Sequence, residues 1–442
     1  ETAIHETGKK YQPVLMDSIK DNAQAMDDAL ASIKVCDPAI GSGAFPVGML
    51  NEIVKARKVL ELYLGKEETT YTLKRHCIQE SIYGVDIDPG AIDIAKLRLW
   101  LSLVVDENDY AHIQALPNLD YKIMQGNSLI EEFHGISLDI EKKSEQVDVF
   151  SGGSSLDALI ENLHQKQADF FNAEHPKDKK KKRNDVEMAI YNIFHHELEK
   201  KREISPQETQ EIESDLKEMT HGNKVRNFFP WELYFADVFR EKGGFDVVIA
   251  NPPYIKENTN KNAFNGTRNS ICYQGKMDIW YQFGVKGINI LSINGVECFI
   301  ATNNWITNDG ASKFRNYILK NCEILEFLDF RNFKIFDNVG IQTMIYLLKK
   351  RPDIGISNVH YGSLINSPKY AENISNFLYK KKSSTDFEKY KVQFQQKNYV
   401  DKYFQFLKPQ ISSLITKINK NCDTKFSSGE IFSGIDVLQD FV

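Results

Sequence analysis

Ser32-Ile33-Lys34-Val35-Cys36-Asp37-Pro38-Ala39-Ile40-Gly41-Ser42-Gly43-Ala44-Phe45 joins a short apolar run to an acid, two closely spaced glycines and the start of an amphipathic pattern. It reads as a strand over Ser32–Cys36, a tight turn, and a helix from about Ala44 to Leu64. The same unit recurs at Ser81–Val85, a second expected strand, after which Pro89 opens a helix to about Val105. Tyr121–Met124 reads as a third strand and Phe245–Ala250 as the strongest of all. Gly295–Ala301, Glu323–Phe330 and Gln342–Lys349 supply three more. Short apolar runs that alternate with helical patterns predict an α/β fold, a mainly parallel seven-stranded sheet with helices on both faces.

The chain of 442 residues, 42% hydrophobic and 26% charged, has the composition of an ordinary globular protein with room for two or three domains. No stretch approaches the ~18 consecutive apolar residues of a membrane span. Six scattered cysteines without a C-x-x-C pair point to reduced thiols and a cytoplasmic location, and away from a zinc site; no metal is expected. A formal net charge of −6 is a weak argument against nucleic acid, because a local basic cleft is enough to hold phosphates. Between Ser151 and Lys224 the pattern turns polar and Lys/Glu-rich, which predicts a largely helical insertion decorating the sheet. The run Lys177–Arg183 inside it reads as a solvated, mobile loop, with a DNA-backbone contact as the minority reading. After Ser363 the pattern is helical again, with an amphipathic stretch at Phe406–Asn421.

The glycines of the first turn allow a ligand to approach the backbone closely. Pro46 stands where a dinucleotide fingerprint needs its third glycine, and the next strand-end acid, Asp86, comes far later than the ~20 residues that motif requires. NAD and FAD are disfavoured. A cofactor with an ammonium, a carboxylate and a ribose fits better: Asp37 meets the ammonium, the turn's N–H groups the carboxylate, and Asp86 the ribose hydroxyls. A helix cap and tight turn without a ligand is the plain alternative.

Asn251-Pro252-Pro253-Tyr254 follows the strongest strand. Its two prolines fix the loop and withhold two N–H donors, so the Asn251 side chain and the Pro252 carbonyl can accept hydrogen bonds from one exocyclic amine. The lone pair of a conjugated amine is delocalised, and acceptors aimed at its hydrogens favour the pyramidal form that attacks a methyl group. Tyr254 can stack on a planar base taken out of its duplex. A rigid proline turn with a capping Asn is the alternative here.

Asp37–Gly43 and Asn251–Tyr254, in this order, resemble the cofactor and catalytic motifs of gamma-class amino-methyltransferases. Tyr83-Gly84-Val85-Asp86-Ile87-Asp88 resembles their ribose-binding strand and Gln125-Gly126-Asn127-Ser128-Leu129 their adenine-edge motif. Phe229-Pro230-Trp231-Glu232 and Ile335–Thr343 are similar to large restriction–modification enzymes that fuse nuclease, methyltransferase and recognition domain, and Lys276-Met277-Asp278-Ile279-Trp280 resembles the family's motif just after the catalytic loop. The resemblance covers roughly Val35–Lys350. It implies a Rossmann-like S-adenosylmethionine-dependent methyltransferase fold acting on adenine N6 in double-stranded DNA, with no membrane partner. The cofactor is then expected at Asp37, Pro38, Ala39, Gly41, Gly43, Phe45, Asp86, Ile87, Asn127, Ser128 and Asn251. Asn251, Pro252, Pro253 and Tyr254 are the expected catalytic residues, and Tyr254 and Phe336 are expected to sandwich the flipped base.

Two positions depart from the family pattern: Ile40 stands where Cys or Thr is usual, and Asn127 where an acid is common. The expected organisation is a cofactor-binding half over 1–150, the insertion over 151–228, a catalytic half over 229–362, a helical linker over 363–425 and the start of a recognition domain over 426–442. The first residues read as a cut end. Release-factor glutamine and ribosomal guanine-N2 methyltransferases also carry an Asn-Pro-Pro-Tyr loop, and a non-catalytic recognition fragment is a third reading. The sequence does not fix an oligomeric state.

Overall fold

The computed structural model describes residues 16–105, 119–134, 155–171, 176–199, 206–221, 224–336, 340–366, 371–379 and 384–408, with scattered positions to 418. Among the described residues, nine strands form one sheet: β1 Val35–Asp37, β2 Ile82–Asp86, β3 Ile123–Gln125, β4 Phe245–Ala250, β5 Leu291–Thr302, β6 Cys322–Asp329, β7 Thr343–Lys350, β8 Ile356–Leu364 and β9 Phe387–Gln395. Their order across the sheet is β3-β2-β1-β4-β5-β7-β6-β8-β9. The first five run parallel, so their carboxyl ends share one edge. β7 is antiparallel to both β5 and β6 and makes the only reversal among the first seven. The seven expected strands are all present, in the Rossmann-like methyltransferase arrangement that the sequence calls for.

Successive side chains of a strand face opposite sides of a sheet, and here each side has its own core. Val35, Ile82 and Ile123, with Val247 and Ile249, pack on one side against Leu50, Ile53 and Val54 of helix α1 (Ala44–Leu64) and Ile92, Ala95 and Leu99 of helix α2 (Pro89–Val104). Cys36, Tyr83, Val85, Met124 and Val248 face the other side. Both helices start on local signals. Gly43 at φ +79 precedes α1, while Asp88 caps α2 by accepting the Gly90 N–H at 2.8 Å, with Pro89 in its first turn.

The inserted residues supply that second face, which corrects the expectation of a mere decoration. Helices α3 (Ser155–Phe171), α4 (Pro176–Glu199) and α5 (Pro206–His221) bring Leu163, Phe170, Val186, Ile190, Phe194 and Leu216 into one core with Tyr121, Met124, Phe228 and Phe229. The basic run Lys177–Arg183 is not a loop. It forms the first turns of α4, anchored from downstream by buried Val186, Ala189, Ile190 and Ile193 and permitted by the high helix propensity of Lys and Arg.

Two more corrections concern the region after β7. The sheet has nine strands, because β8 lies parallel to β6 and β9 antiparallel to β8. The expected helical linker over 363–425 therefore contains a strand as well as a helix, Ala371–Tyr379. Glu388-Lys389-Tyr390-Lys391-Val392-Gln393 is too polar to read as a core strand, but polar residues are what an edge strand with solvent on one side carries. Within the amphipathic stretch Phe406–Asn421 the described positions from 410 to 418 are helical, while most of its other positions and all of 426–442 lie outside the described residues. Among the described residues, no helix is long and apolar enough to cross a membrane.

Candidate active site

Strand order reverses direction between β1 and β4, and the crevice outside their carboxyl ends is where ligands of open α/β sheets bind. Asp37 ends β1 and Asn251 follows β4 directly. Asp37 is 2% exposed, and its Oδ1 accepts the Ala39 N–H at 2.9 Å. Burial pushes its carboxyl up to about 8, and the neighbouring Asp86 adds to the rise. An acid so held calls for a cation. Asp86, at the end of β2, accepts the Gly41 N–H on Oδ2 (2.8 Å) and the Asp88 N–H on Oδ1 (3.0 Å), which leaves each oxygen a second lone pair for hydroxyl groups.

Gly41 sits at φ +50, and a side chain built there would point into space that protein atoms leave empty out to 4 Å. Gly43 is constrained for another reason, since a Cβ would come within 3.0 Å of the Ala95 Cα. Ile40, 4% exposed, packs beneath the turn against Gly84, so its departure from the family pattern fills a core position. Pro38 is buried, Ala39 and Phe45 are half-buried, and Ile87 is 54% exposed beside the Asp86 carboxylate.

Asn127 and Ser128 follow β3 at the same edge. Asn127 Oδ1 accepts the Leu129 N–H at 3.1 Å, so the amide NH2 is the part of this side chain suited to reach outward. Ser128 is 4% exposed and donates its hydroxyl to the Pro38 carbonyl at 2.6 Å, joining the β3 turn to the β1 turn. Trp231 donates its indole N–H to the Ser128 carbonyl at 3.0 Å, which gives the Phe-Pro-Trp-Glu segment a purpose that the sequence did not reveal. Gln125, also unforeseen, donates from Nε2 to the carbonyls of Ile87 (3.0 Å) and Arg226 (2.9 Å). Both residues brace the turns that follow β2 and β3.

On the β4 side, Pro252 is buried, Pro253 exposed, and Asn251 and Tyr254 half-buried. The Tyr254 hydroxyl lies 2.8 Å from Asn251 Oδ1 and 2.9 Å from the Ile300 carbonyl of β5. A phenol carries one proton, so these two acceptors share it, and Asn251 Oδ1 keeps a lone pair for another donor. Burial raises the Tyr254 pKa above its ordinary value, so this proton stays in place.

A small clasp closes behind Tyr254. Ile279 donates its N–H to the Ile255 carbonyl at 2.9 Å, Glu257 donates to Met277 at 3.0 Å, and Lys256 bridges Asp278. Burial raises the Asp278 carboxyl to about 6. Glu257 organises the loop beyond, accepting the Tyr273 hydroxyl (2.7 Å) and the Lys276 N–H (2.9 Å). Phe336 lies half-buried in the β6–β7 connection. That connection rises at the same edge, because Thr302 pairs with Thr343 and Asp329 with Met344.

The sequence profile of the Eco57I restriction-modification methylases matches residues 80–336. A putative type II restriction enzyme and methyltransferase of Methanocaldococcus jannaschii is 26% identical over 464 residues, covering 90% of this chain and 36% of that protein. The type II methyltransferase M.BanIII of Aneurinibacillus aneurinilyticus is 24% identical over 106 residues, 24% of this chain and 18% of that one. This chain thus spans about a third or less of the length of these relatives. Among solved structures, the DNA-bound type ISP restriction-modification enzyme LlaBIII aligns over 92% of this chain and 23% of its own, at 13% identity and a TM-score of 0.45. The EcoKI M protein aligns over 89% and 70%, at 11% identity and a TM-score of 0.41.

Proposed function

Because the chain belongs to the Eco57I restriction-modification methylase family, we propose that it transfers a methyl group from S-adenosylmethionine to the exocyclic N6 of an adenine flipped out of double-stranded DNA. The observation that carries this reading is the pairing, across neighbouring strands, of a buried acid awaiting a cation with a proline-fixed amide awaiting a donor. The cofactor supplies the reactive methyl group and its positive charge.

The residues of this chain do the rest. Asp37 takes the ammonium, whose positive charge lowers the carboxyl pKa so that its proton leaves to solvent. The N–H groups of the turn meet the cofactor carboxylate, and Asp86 the ribose hydroxyls. The Asn127 amide faces the adenine edge of the cofactor. Asn251 Oδ1 and the Pro252 carbonyl accept the two hydrogens of the target amine, so its nitrogen becomes pyramidal and its lone pair turns to the methyl carbon. Neither a covalent enzyme intermediate nor a nucleophilic side chain enters this scheme. Tyr254 and Phe336 enclose the flipped base.

A methylation assay of the full-length protein on plasmid DNA, read by mass spectrometry of the nucleosides, tests the reading. N6-methyladenine is the expected product. Transfer to cytosine, or only to a protein glutamine or a guanine of ribosomal RNA, would overturn it.

A further inference from the structure

The lysine-rich start of α4 is at the wrong end of its helix. Lys177, Lys179, Lys180, Lys181, Lys182 and Arg183 place six cations against one acid, Asp178, within seven residues of a chain whose net charge is −6. Helix amino termini carry partial positive charge and disfavour cations. Like charges three and four positions apart repel as well. Two such pairs fall at four residues (Lys177 with Lys181, Lys179 with Arg183) and three at three residues (Lys177 with Lys180, Lys179 with Lys182, Lys180 with Arg183). Among the described residues the local partners are few for so much charge. Lys182 donates to the Asp169 carbonyl at 2.9 Å, and Arg183 lies 3.9 Å from Asp120. Lys177, Lys180, Lys181 and Arg183 are exposed.

The direction of the helix places this charge away from the active site. The Tyr121 hydroxyl, before β3, lies 3.4 Å from the Arg183 carbonyl and 3.2 Å from Glu187. Glu187 in turn lies 3.9 Å from Arg226, whose backbone N–H donates to Gln125 at the end of β3. Further along α4, Phe194 packs edge-on against Phe133 and Phe228. α4 therefore runs with β3, and its basic turns stand at the amino edge of the sheet, opposite Asp37 and Asn251.

We propose that the first turns of α4 form a second, sequence-independent contact with the DNA backbone, remote from the target base. This rests on the DNA reading above. Six cations spread over about 9 Å of helix axis suit the closely spaced phosphates of a duplex, which carries one charge per ~1.7 Å. Bound phosphates would offset the repulsion among these cations, which in the free chain the buried half of the helix has to outweigh.

The test is binding of the 442-residue chain to a fluorescent 40-base-pair duplex between 50 and 200 mM KCl, compared with the variant Lys177→Gln/Lys180→Gln/Lys181→Gln. Glutamine keeps helix propensity and removes repulsion, so the variant is expected to fold, with circular dichroism as the check. The slope of log affinity against log salt should fall by about 2 to 3, near 0.9 for each lost phosphate contact. Affinity at 50 mM KCl should drop at least tenfold, with S-adenosylmethionine binding unchanged. An unchanged slope sinks this surface and leaves the catalytic reading standing. Absence of any DNA binding by the parent chain sinks both. Displacement of the duplex by polyglutamate at equal charge concentration would mean that α4 meets an acidic protein, and the proposal fails.

Discussion

The two sides of the crevice are held by different means. On the β1–β2 side, the proposed cofactor side, the acids are pinned by backbone N–H groups, most of them close in sequence: Asp37 by Ala39, and Asp86 by Asp88 and Gly41. On the β4 side, the proposed base side, the loop hangs on distant partners. Tyr254 reaches Ile300, and the clasp joins residues 255–257 to 277–279. A turn that carries its own partners keeps its shape wherever its strand goes. The Asn-Pro-Pro-Tyr loop has its place only once β5 and the 277–279 segment are in position. Each side should therefore fail separately.

The largest effect is expected from Asn251→Ala. Loss of one aimed acceptor should slow methyl transfer by about 10²–10³ in single turnover, while calorimetry shows cofactor affinity within about threefold of the parent. A large loss of cofactor binding would make the two sides one unit. Combined with Asp37→Asn, the free-energy changes in transition-state stabilisation should add to within ~0.5 kcal/mol if the sides are independent.

Next in size is a pH effect confined to the cofactor side. Burial holds the Asp37 carboxyl at about 8, far above the usual carboxylate range, so below pH 7 the free protein keeps a proton that an ammonium bound as proposed must displace. Cofactor affinity should rise with pH and approach about tenfold per unit below pH 7, with one proton released, measurable by calorimetry in buffers of different ionisation enthalpy. The sign for stability is the reverse. The unfolded chain gives up this proton above about pH 4 and the folded chain does not, so this group's contribution is full at low pH and shrinks as pH rises towards 8. Asp37→Asn should flatten both profiles.

Gly43→Ala should cost about 1–3 kcal/mol of stability, from the strained φ and the Ala95 backbone that its Cβ would meet. Chemical denaturation measures it, and a neutral result would show that the turn can shift. The smallest effect belongs to Tyr254→Phe, which keeps the ring and removes the tether. A loss of about 1 kcal/mol in stability and a severalfold slower transfer are expected. No change in rate would mean that the prolines alone fix Asn251.

The same contrast decides what could be read from the sequence. Strand–turn–helix units print their glycines, caps and prolines locally, so β1, β2, α1, α2 and the positions of Asp37 and Asp86 were legible. So was Asn251, because two prolines after an apolar strand are a local signal. The Tyr254 tether, the Gln125 and Trp231 braces and the Glu257 loop were not, since each depends on a partner many residues away. β9 was missed because an edge strand shows solvent a polar face, and the basic turns of α4 because their order is imposed from the apolar half of the helix. Phe336 was placed by resemblance alone, and its enclosure of the base remains a proposal.

The second face of the sheet has a consequence in time. Tyr83, Val85 and Met124 are made before the helices that cover them, and β1 must wait for β4, which begins 120 residues after β3 ends. At a synthesis rate of ~5–20 residues per second, that is a wait of roughly 6–24 s. Until α3–α5 emerge within this interval the nascent chain carries three parallel strands with one apolar side bare, and β1 gains its β4 neighbour only at the end of it. The ribosome-bound protein is thus an expected chaperone client, and codon choice between residues 126 and 245 is expected to affect its yield more than codon choice after β4.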